Sequence, residues 1–146
     1  MEVLMRKQSI YIFIISLLLA YLLAQTGLAN PTAEKAAISA SLAWLALVDA
    51  GRYEESWQEA ARLFKAAVTK QQWRASTGAY RKPLGQLITR TFKSKTYATS
   101  LPGAPDGEYV VIQYATIFEN KKSAIETITP MLDGDGSWRV SGYYIK

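Results

Sequence analysis

The chain contains no cysteine and no histidine. Without cysteine there is no disulfide to constrain the fold, no thiolate nucleophile and no residue for a lipoprotein-type anchor. Without histidine, Ser-His-Asp triads and the usual zinc sites are excluded. Charge of either sign is missing between Lys7 and Glu34, and acidic residues are missing between Glu59 and Asp106. Internal repeats and low-complexity stretches are also missing. Four Trp, nine Tyr and four Phe give the chain enough large apolar surface to fold, so disorder is not expected. At 146 residues one folded domain is expected.

The first uncharged stretch reads as a targeting segment. Arg6 and Lys7 precede an apolar run from Ile10 to Ala24, and small residues follow, with Gly27 and Ala29 at the −3 and −1 positions of a cleavage site. This is the pattern of a secretory signal over residues 1–29. The alternative is an uncleaved signal anchor, which would be the chain's membrane contact. In both cases the positive-inside rule places the rest outside the cytoplasm, in the periplasm or beyond.

Residues 30–146 read as one α+β domain. Asn30-Pro31 starts a helix as N-cap and first residue. Ile38, Leu42, Leu45 and Val48, widened by Trp44 and Leu47, give it an apolar stripe, and Gly51 ends it. A second helix from about Tyr53 carries Trp57, Ala60, Ala61, Phe64 and Val68 on one face, with Trp57 as its buried anchor. Thr69 and Gln72 fit a capping box, so a third helix runs from Lys70 to about Ala79. Pro83 and Gly85 stop it. From Leu87 the composition turns to β formers, giving strands at 87–99, 108–119, 122–132 and 138–145 separated by turn-rich segments. The second is apolar on both faces and is expected at the centre. Helices followed by four turn-linked strands predict helices packed on a curved antiparallel sheet.

Particular residues also carry a resemblance. The spacing of Trp57, Phe64 and Trp73, the run Arg81-Lys82-Pro83-Leu84-Gly85, and the ending Asp135-Gly136-Ser137-Trp138-Arg139-Val140 with Gly142-Tyr143-Tyr144-Ile145-Lys146 resemble the bacterial proteins grouped as domain of unknown function 4019. The resemblance covers most of residues 33–146. It implies an exported protein and transfers no catalytic residue. The expected architecture is also similar to the cone of nuclear transport factor 2 and ketosteroid isomerase, a likeness of fold that does not fix function.

Four constellations are candidates for function. The acid-free interval holds Arg62, Lys65, Lys70, Arg74, Arg81, Lys82, Arg90, Lys93 and Lys95. With a net charge of +5 overall, the basic excess is segregated. It points to an anionic envelope component or an acidic protein surface, with Lys70, Arg74, Arg81 and Lys82 as binding residues. The alternative is a solvated helix face and a Lys-rich edge strand. Nucleic acid is not expected for an exported chain, although Trp73, Tyr80 and Tyr97 interleave with the cations. Second, Arg81 alone, at a helix end, is placed either to bind a carboxylate or phosphate or to make a structural pair.

Third, Asp49, Tyr114 and Glu126 are the groups available for an acid/base cavity of the ketosteroid isomerase type, which would make the chain a small-molecule enzyme or carrier. The contrary expectation puts Tyr114 in the core and Glu126 in solvent. Fourth, Asp133-Gly134-Asp135-Gly136 resembles the start of a calcium loop. The twelfth position is Tyr144 rather than Glu, so a hairpin turn is expected there and no metal site. No cofactor and no catalytic residue are assigned.

Overall fold

The computed structural model describes residues 28–146. The targeting segment therefore lies, through residue 27, outside the described residues. Among the described residues no helix is long and apolar enough to cross a membrane.

Helix α1 spans Pro31–Asp49. Its cap is the expected one: Asn30 Oδ1 accepts from the Ala33 amide at 3.2 Å, with Pro31 in the first turn. The buried line is Ala37, Ser41, Trp44, Leu45 and Val48, while Leu42 is 45% exposed. The helix is thus rotated from the expected stripe. The small residues Ala37 and Ser41 let its backbone approach the sheet, and this turns Leu42 outward. Gly51, at φ +74°, reverses the chain, a conformation that glycine adopts without penalty.

The expected second helix is two helices, α2 over Tyr53–Glu59 and α3 over Arg62–Ala67. The stripe of Trp57, Ala60, Ala61 and Phe64 has helical spacing, but Ala60 and Ala61 are extended, with ψ of 161° and 154°. Two long-range bonds explain the break. The Ala61 amide donates to Val140 O at 2.8 Å, and Asp133 accepts from the Arg62 amide at 3.0 Å and from its Nε at 3.0 Å. Asp133 therefore caps α3 from far along the chain, which local sequence does not encode.

Helix α4 spans Lys70–Tyr80 with the expected reciprocal capping box between Thr69 and Gln72. A short 3₁₀ turn, Lys82–Leu84, follows. Gly85 then sits at φ +76°, where an added Cβ would come within 2.8 Å of Glu119 Cβ.

Strands β1 (Leu87–Ala98), β2 (Tyr109–Phe118), β3 (Lys121–Leu132) and β4 (Trp138–Ile145) form an open antiparallel sheet in the order β1-β2-β3-β4. Central β2 is buried on both faces from Tyr109 to Ile112. Pro130 falls at a register shift between β3 and β4, where the ladder tolerates a missing N–H. The Asp133–Gly136 segment is the hairpin turn, closed by Asp133 N to Ser137 O at 2.8 Å.

Helices and sheet meet in an aromatic cluster. Trp44 lies 5.6 Å from Trp73 and 5.3 Å from Tyr143, and Phe64 meets Trp73 edge-on at 5.0 Å. Both indole N–H groups end on Ser56, from Trp44 to its carbonyl at 2.7 Å and from Trp73 to its hydroxyl at 2.9 Å. The anchors are therefore Trp44 and Trp73. Trp57, expected in that role, is half-buried beside the core, its N–H on Val68 O at 2.7 Å.

Trp44→Ala should cost ~3–5 kcal/mol, and Trp57→Ala clearly less because its ring is only partly desolvated. Urea melts of the two variants measure this, and equal losses would return the anchoring role to Trp57.

Candidate functional site

The acid/base candidates and the acid-free interval meet in one buried ion network. Asp49 ends α1, Arg81 directly follows α4, Arg90 is in β1 and Glu126 in β3. Arg90 grips both carboxylates in two-point fashion. Its Nη1 and Nη2 donate to Asp49 at 2.7 and 3.0 Å, and its Nε and Nη2 donate to Glu126 at 2.6 and 3.1 Å. Arg81 adds Nη2 to Asp49 Oδ1 at 3.1 Å and Nη1 to Gly85 O at 2.6 Å. Its guanidinium carbon stands 4.3 Å from the centroid of the Phe118 ring, a cation–π contact.

Two cations and two anions balance, which is the condition under which buried charge is tolerated. Arg90 is held protonated: burial works against its charge, but the bonds to Asp49 and Glu126 outweigh it and push its pKa far above the ordinary value.

Glu126 is fully buried. Besides Arg90 it accepts from Thr116 Oγ1 at 2.6 Å and from Tyr143 OH at 2.5 Å. Each carboxylate oxygen thus accepts two hydrogen bonds, which fills the four lone-pair sites such a group offers. No acceptor position is left to take a substrate proton. Tyr114 is buried, but its hydroxyl turns to Ser41 Oγ at 3.3 Å and its ring to Phe92 at 6.3 Å. The structure therefore brings Asp49 and Glu126 together on Arg90 and leaves Tyr114 outside. The phenol that meets Glu126 is Tyr143, which the sequence did not single out. Burial first, and the neighbouring Glu126 second, hold the Tyr143 hydroxyl well above its ordinary pKa.

The four basic binding candidates separate. Arg81 is 3% exposed and committed to the network. Lys82 is exposed in the 3₁₀ turn. Lys70 and Arg74 stand one turn apart on α4, beside α2. The Lys70 ammonium is 5.8 Å from the centroid of the Trp57 ring, and the Lys65 ammonium is 5.9 Å from the same centroid. Lys65 Nζ also donates to Gln58 O at 3.0 Å. Arg74 Nη1 meets Glu54 Oε1 at 2.9 Å. Elsewhere the cations pair with flanking acids: Arg62 with Asp133 at 3.0 Å, and Lys95 with Glu34 at 2.7 Å. Among the described residues no cluster of acids is arranged to hold a metal ion.

The network predicts its own mutational pattern. Arg90→Met should destabilise the domain by ~3–5 kcal/mol, because it strands two buried carboxylates. Adding Glu126→Leu should recover part of that loss, and denaturant titration of single and double variants checks both. Alkali supplies a second test. The Tyr143 pKa is raised on folding, so its contribution is complete below the unfolded value of ~10 and declines as pH rises beyond it. Stability should fall above about pH 10, and Tyr143→Phe should flatten part of that decline. An unchanged alkaline profile would place the Tyr143 hydroxyl in solvent.

No curated protein and no solved structure matches the chain, so the likeness to the nuclear transport factor 2 cone gains no counterpart. A family model described as "Protein of unknown function (DUF4019)" matches residues 40–143. That match takes in the C-terminal half of α1, the whole sheet up to Tyr143, and every member of the buried network, and by it the chain belongs to the DUF4019 family.

Proposed function

We propose that the chain is an exported, non-enzymatic binding module of the cell envelope whose partner is an anionic polymer. The observation that carries this reading is the pair of ammonium groups, Lys65 and Lys70, held over one indole. Trp57 is fixed by its bond to Val68 O, and Lys65 by its bond to Gln58 O. The two cations are thereby preorganised, so less side-chain freedom is lost on binding. Arg74 extends the same face along α4. The saturated Glu126 argues against proton-transfer chemistry in the interior and directs function to the surface.

Export rests on the targeting pattern of the sequence, Arg6 and Lys7 before an apolar run followed by Gly27 and Ala29. The first cap contact of the domain is made by Asn30. Cleavage after Ala29 would leave that cap intact at the new terminus. N-terminal sequencing of the mature protein should read Asn30 first, and a first residue of Met1 would instead indicate a retained anchor.

The domain should bind polyphosphate or polygalacturonate at low salt and release it towards physiological ionic strength, where exposed charges are screened beyond ~8 Å. Lys65→Glu with Lys70→Glu should abolish binding. The double variant should stay folded, since cation–π contacts at exposed sites contribute only ~0.5–1 kcal/mol. Co-sedimentation with phosphatidylglycerol vesicles is the competing arm. Binding to vesicles with none to either polymer would replace the polymer by a membrane surface, and equal polymer binding by wild type and double variant would remove this face from function.

A further inference from the structure

A cleft of about 260 Å³ opens between the Gly51 turn and α4, lined by Gly51, Arg52, Tyr53, Glu54, Glu55 and Arg74. It continues the Lys65–Lys70 face, because Lys70 lies one helical turn from Arg74. Both guanidinium groups in it are occupied by carboxylates of the chain itself. Arg74 Nη1 donates to Glu54 Oε1 at 2.9 Å, a single bond, whereas Arg52 grips Glu55 at two points, Nε to Oε1 at 2.8 Å and Nη2 to Oε2.

These pairs differ from the buried ones. The side chains of Arg74 and Glu54 are 66% and 50% exposed, against 9% and 0% for Arg90 and Glu126. Exposed pairs contribute only ~0–1 kcal/mol and exchange partners readily. Arg74 uses one of its N–H donors on Glu54 and makes no other hydrogen bond within the described residues. Most of its fork is therefore available to a planar or tetrahedral oxyanion, which a guanidinium binds through two parallel bonds.

We propose that Glu54 is the resident counter-ion of an anion-binding cleft, which a phosphate or carboxylate group of the polymer displaces to take Arg74, while Arg52 stays paired with Glu55. The proposal rests on the polymer reading and adds to it a defined subsite and an internal competitor. In the free protein the carboxylates hold the guanidinium groups in place and keep the cleft neutral. On binding, an anion making two bonds to Arg74 replaces a carboxylate making one, and Lys70 adds attraction from the next turn. Glu54 thus sets a threshold that isolated weak anions do not pass and a multivalent chain does.

Removing a competitor should strengthen binding, which an ordinary surface ion pair does not predict. Isothermal titration of the full domain with polyphosphate and with polygalacturonate compares wild type, Glu54→Gln, Glu59→Gln and Arg74→Ala, the last with and without Glu54→Gln. Freeing Arg74 from a pair worth up to ~1 kcal/mol should raise affinity by up to about fivefold in Glu54→Gln. Glu59→Gln makes the same charge change outside the cleft and should have a clearly smaller effect. In the Arg74→Ala background the Glu54→Gln gain should vanish. The polymer that shows the Arg74-dependent gain identifies the group as phosphate or carboxylate. Equal gains from Glu54→Gln and Glu59→Gln, or a gain that survives without Arg74, would overturn the counter-ion role and leave the polymer reading intact. Binding by Glu54→Gln but not by wild type would support it, and binding by no variant would overturn both.

Discussion

Arg90 reaches from the edge strand to Asp49 at the end of α1 and to Glu126 in β3, so one guanidinium ties a helix terminus to two strands. Through Glu126 the same group holds Thr116 in β2 and Tyr143 in β4, and through Asp49 it holds Arg81 after α4. All four strands and two of the helices are thus tied to one charge. Taking such a group out of water costs several kcal/mol, and only complete pairing offsets it. Asp49 sits where a helix dipole disfavours an anion, and the two arginines reverse that local balance. The network accordingly contributes less to net stability than to register. A strand slipped by one residue would turn Arg90 or Glu126 to the opposite face and leave a buried charge unpaired.

The aromatic cluster supplies the non-directional part of the same packing. Trp44, Trp73, Phe64 and Tyr143 bring α1, α4, α3 and β4 into contact. Tyr143 belongs to both systems, with its ring in the cluster and its hydroxyl on Glu126. Ser56 accepts both buried indole N–H groups, so the otherwise costly polar edges of the two rings are satisfied by one residue.

Local signals in the sequence were sufficient for the strands and for the caps. The Asn30 cap, the Thr69–Gln72 box and the two-sided apolarity of β2 are written in local sequence, and the structure shows each of them. What the sequence concealed depends on distant partners. The stripe from Trp57 to Phe64 looks continuous because helical spacing does not record that Val140 and Asp133 capture the backbone between them. The ion network was partly visible as two mid-strand charges of opposite sign, Arg90 and Glu126. Pairing them requires the register, in which Arg90 faces Thr116 and Thr116 faces Ala124, two residues from Glu126. The basic interval was legible as composition, but not its division between a buried pair and an exposed face.

That division bears on where binding can occur. Helices of seven and six residues, such as α2 and α3, are too short to persist without tertiary support. The positions of Trp57 and Lys65 are therefore set by the bonds at the break, Ala61 to Val140 and Arg62 to Asp133. Asp133 is itself held by the hairpin, through Ser137 and Gly136. The Arg62 and Gly134 hydrogen bonds hold its carboxyl below the ordinary range, although burial opposes them. These bonds thus favour the ionised carboxylate that caps α3. The hairpin between β3 and β4 consequently orients the lysine face without contributing a residue to it, and a change at Asp133 would reach the binding face through the start of α3.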